Sequence, residues 1–317
     1  MSRNVYIAIG ALGCAAAYLA LAQNSSPITG QWTVGGPVVQ DQVQLSINRS
    51  SARSNMSSSS RVPLSQLRGL TRAQLDSSGT VVRFEVVRDA GTLRFEGYLQ
   101  GGGGGGTFTF SPNPNFASDM RSLGYSGLTD EKVFTMAVHD VSAAYIRDMN
   151  AAGIRPESSD QLITMRIHNV TVEYVRELKG LGYSDLSPDK LVTMRIHGVT
   201  VDFAWELKGM GYNSVSPDQM VTMRIHGAST DFIKEVTALG YDRPKVDQLV
   251  TMRIHGAPTD FIKKVQALGY THPSIDQLVT MRIHGVTPDY IQRLQGRGMK
   301  NLSIDQMVNL RIHGIGD

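Results

Sequence analysis

Two hydrophobic patterns divide this chain. Over residues 24–115 apolar and polar positions alternate, the period of strands buried on one face; from residue 116 onward apolar positions recur every three to four residues, the period of amphipathic helices. Val43-Gln44-Leu45-Ser46-Ile47 alternates cleanly, and residues 81–87, 92–99 and 107–110 follow the same rule. A further strand is expected around Trp32. Asp89-Ala90-Gly91 reads as a tight turn between two strands. Val62-Pro63-Leu64-Ser65-Gln66-Leu67 reads as one helical turn within a loop. The serine-rich residues 50–60 read as a mobile loop. Six consecutive glycines at 101–106 read as a floppy hairpin tip. Antiparallel strands joined by hairpins suggest a small sandwich or half-barrel. The glycines do not suggest a phosphate cradle, because a strand rather than a helix follows them.

The helical part is a repeat. The phrase "TMRIHG" and its variants place His139, His168, His197, His226, His255, His284 and His313 always 29 residues apart. A gap-free period of that length implies one small unit copied end to end, and hence a solenoid. In the copy beginning at Ser187, that serine is the N-cap, Pro188 takes the first helical position, and Asp189 favours the positive end of the helix dipole. The helix continues through Leu191, Val192, Met194 and Ile196 and stops at Gly198. Call it helix A. Thr200 then caps helix B, whose apolar positions are Phe203, Ala204, Leu207 and Met210, and Gly211 ends it before an apolar plug, Tyr212. Helices this short are marginal alone, so each copy must lean on its neighbours. The register begins with a lone helix B at Phe116 and ends with a lone helix A at His313, giving seven of each. The fold class is therefore α+β: an antiparallel β-domain over 24–115, then an α-helical solenoid over 116–317.

The N-terminus changes the picture of where the chain acts. Arg3 precedes an uncharged apolar run at 5–22, and Ala20-Leu21-Ala22 before Gln23 is a cleavage-site pattern. Residues 1–22 read as a signal peptide or, if uncleaved, as an N-terminal anchor; only then is the membrane a partner. The single cysteine, Cys14, lies inside this run. The rest of the chain needs neither a disulfide nor a thiolate site, which suits a bacterial periplasm or cell surface. Against 31 basic residues stand 28 acidic ones, too even a balance to suggest nucleic acid. All nine lysines lie from Lys132 onward.

Several ladders invite chemistry. The histidines, among them His168, His197, His226, His255 and His284, fall on the last turn of helix A near free carbonyls. Parallel imidazoles roughly 8–10 Å apart do not converge on a metal, so the expectation is a structural role, with no metal, no cofactor and no catalytic residue. The arginines Arg166, Arg195, Arg224, Arg253, Arg282 and Arg311 suggest either an anion-binding stripe or, as favoured here, pairing with the Asp189-type and Asp202-type acids. The methionines at Met136, Met165, Met194, Met223, Met252 and Met281 read as core filler. One column of helix B runs Arg147, Arg176, Trp205, Lys234, Lys263, Gln292, polar except at Trp205. That tryptophan, with Arg176, Lys234 and Lys263 around it, is a candidate protein contact. The last helix A keeps Ile304, Met307 and Leu310 but lacks its helix B. This uncapped end is expected to dock a protein partner or a second copy.

The phrases "LVTMRIHGVT-x-D-F/Y", "L-x-x-L-G-Y" and "S-x-D-Q-L-V" over 116–317 resemble helical repeats of exported bacterial proteins. Some of those form the extracytoplasmic tails of sensor-transducer metallopeptidases of the beta-lactam-receptor type. The sequence holds no His-Glu pair, so that family's zinc peptidase cannot be carried over. What the resemblance implies is an exported repeat module, with a role in envelope sensing. The functional expectation is a non-enzymatic interaction or scaffold module of the cell envelope. The alternatives are a membrane-anchored accessory or sensor subunit, and a carbohydrate-binding or hydrolytic β-domain using Asp41, Asp76, Glu85, Asp89 or Glu96.

Overall fold

A computed structural model of the chain describes residues 27–50 and 55–316. These fall into two compact units that meet between Pro114 and Asn115. The segment read as an export signal lies outside the described residues.

Among the described residues the first unit holds six strands: β1 (Ile28–Val39), β2 (Gln42–Ser50), β3 (Asn55–Pro63), β4 (Ser78–Arg88), β5 (Gly91–Gln100) and β6 (Gly103–Pro112). They form one curled sheet in the order β3-β2-β1-β6-β5-β4, with every neighbouring pair antiparallel. Of the two arrangements the pattern allows, the sandwich does not form; the sheet is single. Its second layer is the connection itself. Residues 64–77 cross from one edge strand to the other and bury Leu67, Leu70 and Leu75. A short helix, α1 (Arg72–Leu75), is held within that crossing by the reciprocal cap of Thr71 and Gln74. Leu67, Leu70 and Leu75 join Trp32, Phe84, Phe95 and Phe108 in one core. The Trp32 indole stands edge-on to Phe84 at 5.0 Å and donates its N–H to the Glu96 carbonyl at 3.1 Å.

Two loop expectations fail here. The serine-rich stretch is a strand from Asn55 onward, paired with β2 without a break in register. Four of the six glycines belong to β6, and only Gly101 and Gly102 turn the chain. The reason is steric. A Cβ at Gly106 would stand 2.0 Å from the Glu96 carbonyl oxygen; one at Gly97 would meet the Gly105 carbonyl at 2.2 Å and the Trp32 ring at 2.8 Å. The glycines let the curled strands approach and leave room for the indole.

Among the described residues the second unit contains fourteen helices. The A helices are α3 (Asp130–Val138), α5 (Ser159–Ile167), α7 (Pro188–Ile196), α9 (Pro217–His226), α11 (Val246–Ile254), α13 (Ile275–Ile283) and α15 (Ile304–Ile312). The B helices are α2 (Phe116–Ser122), α4 (Ala143–Ala151), α6 (Val172–Gly180), α8 (Val201–Gly209), α10 (Thr230–Ala238), α12 (Thr259–Ala267) and α14 (Pro288–Gly296). A packs on A and B packs on B in two rows, the A helices more closely. The caps follow the sequence grammar: the Ser187 hydroxyl accepts from the Lys190 amide at 3.2 Å, and the Thr200 hydroxyl from Phe203 at 3.1 Å. At the end of α7, Gly198 takes a left-handed φ of +68°. This turns Val199 back to donate to the Met194 carbonyl at 2.8 Å. Met136, Met165, Met194, Met223, Met252 and Met281 are fully buried, filling the space between the rows.

Tyrosine hydroxyls stitch one copy to the next. Tyr145 donates to the Val170 carbonyl at 2.9 Å and Tyr174 to Val199 at 2.8 Å. A second set, following helix B, includes Tyr212 to Pro244 at 2.7 Å and Tyr270 to Leu302 at 2.9 Å. Each bond satisfies a carbonyl that leaves the helical ladder.

Candidate functional site

The arginine ladder has a different partner from the one its charge suggests. Each guanidinium lies over the aromatic ring in the first turn of the preceding helix B. The distances are 5.0 Å for Arg166 over Tyr145, 4.9 Å for Arg195 over Tyr174, 5.3 Å for Arg224 over Phe203 and 5.1 Å for Arg253 over Phe232. Three of these arginines also donate backward to the last carbonyl of the preceding helix A: Arg166 to His139 at 3.0 Å, Arg195 to His168 at 3.4 Å and Arg253 to His226 at 3.5 Å. Those carbonyls are free at a helix end and carry its negative partial charge. Helix B repeats the device, since Lys179 donates to the Ala152 carbonyl and Gln266 to Leu239 at 3.2 Å.

The acids of helix A are met instead by the third helical residue of the copy before. Lys132 pairs with Asp160 at 2.9 Å, Gln161 donates to Asp189 at 2.7 Å, and Lys190 lies 3.9 Å from Asp218. Arg166 does reach a carboxylate, Asp140 at 3.2 Å. That aspartate sits at φ +55°, in the left-handed position glycine takes in later copies. Between two later copies a cleft of about 520 Å³ is lined by Arg253, Lys264 and Arg282 but also by Asp260 and Asp289. Charges of both signs face it, which does not favour a stripe for anions.

The histidines contribute their carbonyls to this scheme, while the imidazoles of His197, His226, His255 and His284 face water and that of His168 is half-buried. No group of three histidines, cysteines or carboxylates is placed to hold a metal among the described residues. His139 is half-buried, and burial with the nearby Arg166 charge holds its pKa below the usual imidazole range.

Sequence reasoning missed the most regular exposed feature. Ile196 was expected among the apolar positions of helix A, yet Ile167, Ile196, Ile225, Ile254, Ile283 and Ile312 are each 50–59% exposed. The signal was there: Ile196 lies about 140° around the helix from Leu191, close to Asp189 and Thr193, both exposed. On the A row this makes parallel lines of aspartate, threonine and isoleucine, one of each per full copy. Asp189 also receives the Gln161 amide, and the Thr193 hydroxyl donates to its own backbone four residues back at 2.9 Å. Isoleucine alone among these lines offers bare apolar surface.

The other row carries the second candidate. Trp205 is 64% exposed on α8. In the equivalent column, Arg176 lies 3.8 Å from Asp148, and Lys234 lies 3.9 Å from Glu206, the neighbour of Trp205. Lys263 is exposed.

The expected bare end at α15 is largely covered. Ile304 and Met307 are buried and Leu310 is half-buried. Residues 313–316 fold back over α14. Tyr290 donates to the Ile315 carbonyl at 2.6 Å, and Arg293 to Gly316 at 3.3 Å.

In the β-unit, Glu85 lies 3.8 Å from Arg94, Glu96 lies 3.3 Å from Arg83, and Asp76 and Asp41 lie 3.3 and 3.9 Å from Arg72. Asp41 and Asp76 share Arg72, while Glu85 and Glu96 each pair with an arginine on the neighbouring strand and line one pocket with Arg83 and Arg94. No helix among the described residues is long and apolar enough to cross a membrane. No protein-family model and no curated protein matches the chain.

Proposed function

We propose that this chain is a non-enzymatic interaction module of the bacterial cell envelope, and that its A row receives an extended polypeptide. The observation that carries the reading is the line of six half-exposed isoleucines, one at the same helix position in each of six copies. Packed helices stand about 8–10 Å apart. One turn of a polyproline-type helix is three residues, about 9.3 Å. An extended partner with an apolar side chain at every third residue therefore keeps step with the line. Export is proposed from Arg3, the apolar run at 5–22 and the Ala20-Leu21-Ala22 site. A mature chain beginning at Gln23, read by mass spectrometry, supports export with cleavage; retention of Met1 in membrane fractions supports the anchored accessory subunit instead.

The interaction is tested by retention of envelope proteins and of designed peptides. Wild type is compared with a variant carrying Ile225→Asn, Ile254→Asn and Ile283→Asn, and separately with Trp205→Ala. Species held by wild type and lost in the triple variant, at unchanged melting temperature, support the A row. Loss in Trp205→Ala alone moves the site to the B row. Identical retention by all three proteins refutes both surfaces.

A further inference from the structure

The sheet has two edges, and they are treated differently. At β4 the outer edge is occupied in its middle: Arg68, from the crossing segment, exchanges both backbone bonds with Glu85 at 2.9 Å each. At β3 no described strand pairs with the outer edge. That edge is nine residues long, regular in its pairing with β2, and carries one charge, Arg61. Pro63 stands only at its last position. Edge strands are ordinarily shortened, bulged, covered or charged because a bare row of amides and carbonyls templates another strand. Over residues 55–62 the single charge of Arg61 is the one such protection among the described residues.

We infer that the outer edge of β3 pairs antiparallel with β3 of a second copy of this chain, joining the two sheets about a two-fold axis at Ser59. This goes beyond the interaction proposed for the helical array and does not depend on it. Ser59 is the midpoint of the strand, so pairing there uses all nine residues. It sets Ser58 against Ser60 of the second copy, Ser57 against Arg61, Met56 against Val62 and Asn55 against Pro63. Directly opposed residues in an antiparallel pair share one face. Val62 is buried and Met56 is half-buried on the core side, so an apolar pair stands on that face at each end of the junction, with Ser58 and Ser60 between them. On the outer side Ser57, Ser59 and Arg61 are exposed. No like charges oppose one another, because each arginine faces a serine and the two arginines are about 13–14 Å apart along the strands. The central side chains are serines, small enough for the backbones to approach. An arbitrary peptide would lack this matching of faces and charges.

Ser59 is exposed, and its hydroxyl bonds with Gln44 and Ser46 on the outer face, so substitution there leaves the core intact. The experiment is sedimentation equilibrium of wild type, Ser59→Lys, Ser59→Glu and an equimolar mixture of the two variants. The expected result is a concentration-dependent dimer for wild type, monomers for each variant alone, and a dimer restored in the mixture, where lysine meets glutamate on the axis. A strict monomer for wild type overturns the inference. So does a dimer that survives in both single variants, or a mixture that stays monomeric. If either variant melts early, hydrogen exchange of wild type decides. Protection of the β3 amides that falls on dilution supports the pairing, and protection independent of concentration refutes it.

Discussion

The guanidinium carbon of Arg195 lies 4.9 Å from the ring centre of Tyr174, a residue of the preceding copy, while its Nε donates to the His168 carbonyl of that same copy at 3.4 Å. One side chain thus closes a helix end and covers an aromatic ring across a copy boundary. A lysine keeps the charge but has neither the planar face nor the fixed fork. Arg195→Lys is expected to destabilise the array by about 1 kcal/mol, read as a lowered denaturation midpoint with little change in net charge.

Glycine and its substitutes at the end of helix A give a sharper comparison. Gly198 has φ +68°, and a Cβ there would stand 3.3 Å from an Arg224 nitrogen. Asn169 occupies the same place one copy earlier at φ +54°. Gly198→Asn is therefore expected to cost a few tenths of a kcal/mol, and Gly198→Ala about 1–2 kcal/mol. Equal melting temperatures for the two would contradict the left-handed cap.

In the β-unit the contrast is between a glycine required by backbone and one that is not. Gly106→Ala places a methyl group 2.0 Å from the Glu96 carbonyl, whereas a Cβ at Gly35 meets nothing within 4 Å and needs no left-handed backbone. Gly106→Ala is expected to disrupt the β5–β6 pairing, seen as lost exchange protection in those strands. Gly35→Ala is expected to leave them protected.

Tyr174 links the array to alkaline pH. Burial pushes its phenol up to about 12 from the ordinary 10.0, with the Arg195 charge opposing. The folded state holds the proton more tightly than the unfolded one. Its contribution is therefore complete below pH 10, shrinks as pH rises and is gone above about 12. Over that window wild type is expected to lose roughly 2–3 kcal/mol through this group, and Tyr174→Phe to lose less. Parallel stability curves for the two proteins between pH 9 and 12 would exclude the linkage.

His139 acts at the other end of the scale. Its folded pKa lies below the usual value because burial and Arg166 disfavour the imidazolium. Its contribution is present above about pH 6.5 and is lost as pH falls through the depressed folded value. His139→Gln is expected to flatten the acid limb of the stability curve, measured by urea unfolding from pH 7 to 4.

Local chemistry was legible in the sequence where a residue answers to its own neighbours in the chain. Ser187, Pro188 and Gly198 announced a helix and its two ends, and Leu191, Val192 and Met194 its buried side. Relations across copies were hidden because they depend on which surfaces meet. The arginine ladder looked like a partner for the aspartates until stacking placed it over aromatic rings one copy back. Ile196 counted as core by hydropathy alone, although its angle around the helix sets it beside Thr193. In the β-unit, Gly103, Gly104, Gly105 and Gly106 resembled a loop because flexibility is glycine's commoner use. Their use here, close backbone approach beneath Trp32, is written in the contacts of three strands. The edge serines misled for the same reason: Ser57 and Ser59 pair with Asn48 and Ser46, residues the local composition does not reveal.

The backward reach of Arg166, Arg195 and Arg253, always spanning 27 residues, gives the array a grain. At these three boundaries a copy offers its successor an open helix end and an aromatic ring, and receives from it the arginine that closes both. A whole 29-residue cassette spliced in after any interior His-Gly step would meet a matching surface on both flanks. Such a chain can gain or shed length by duplication or loss of one gene segment without inventing a new contact.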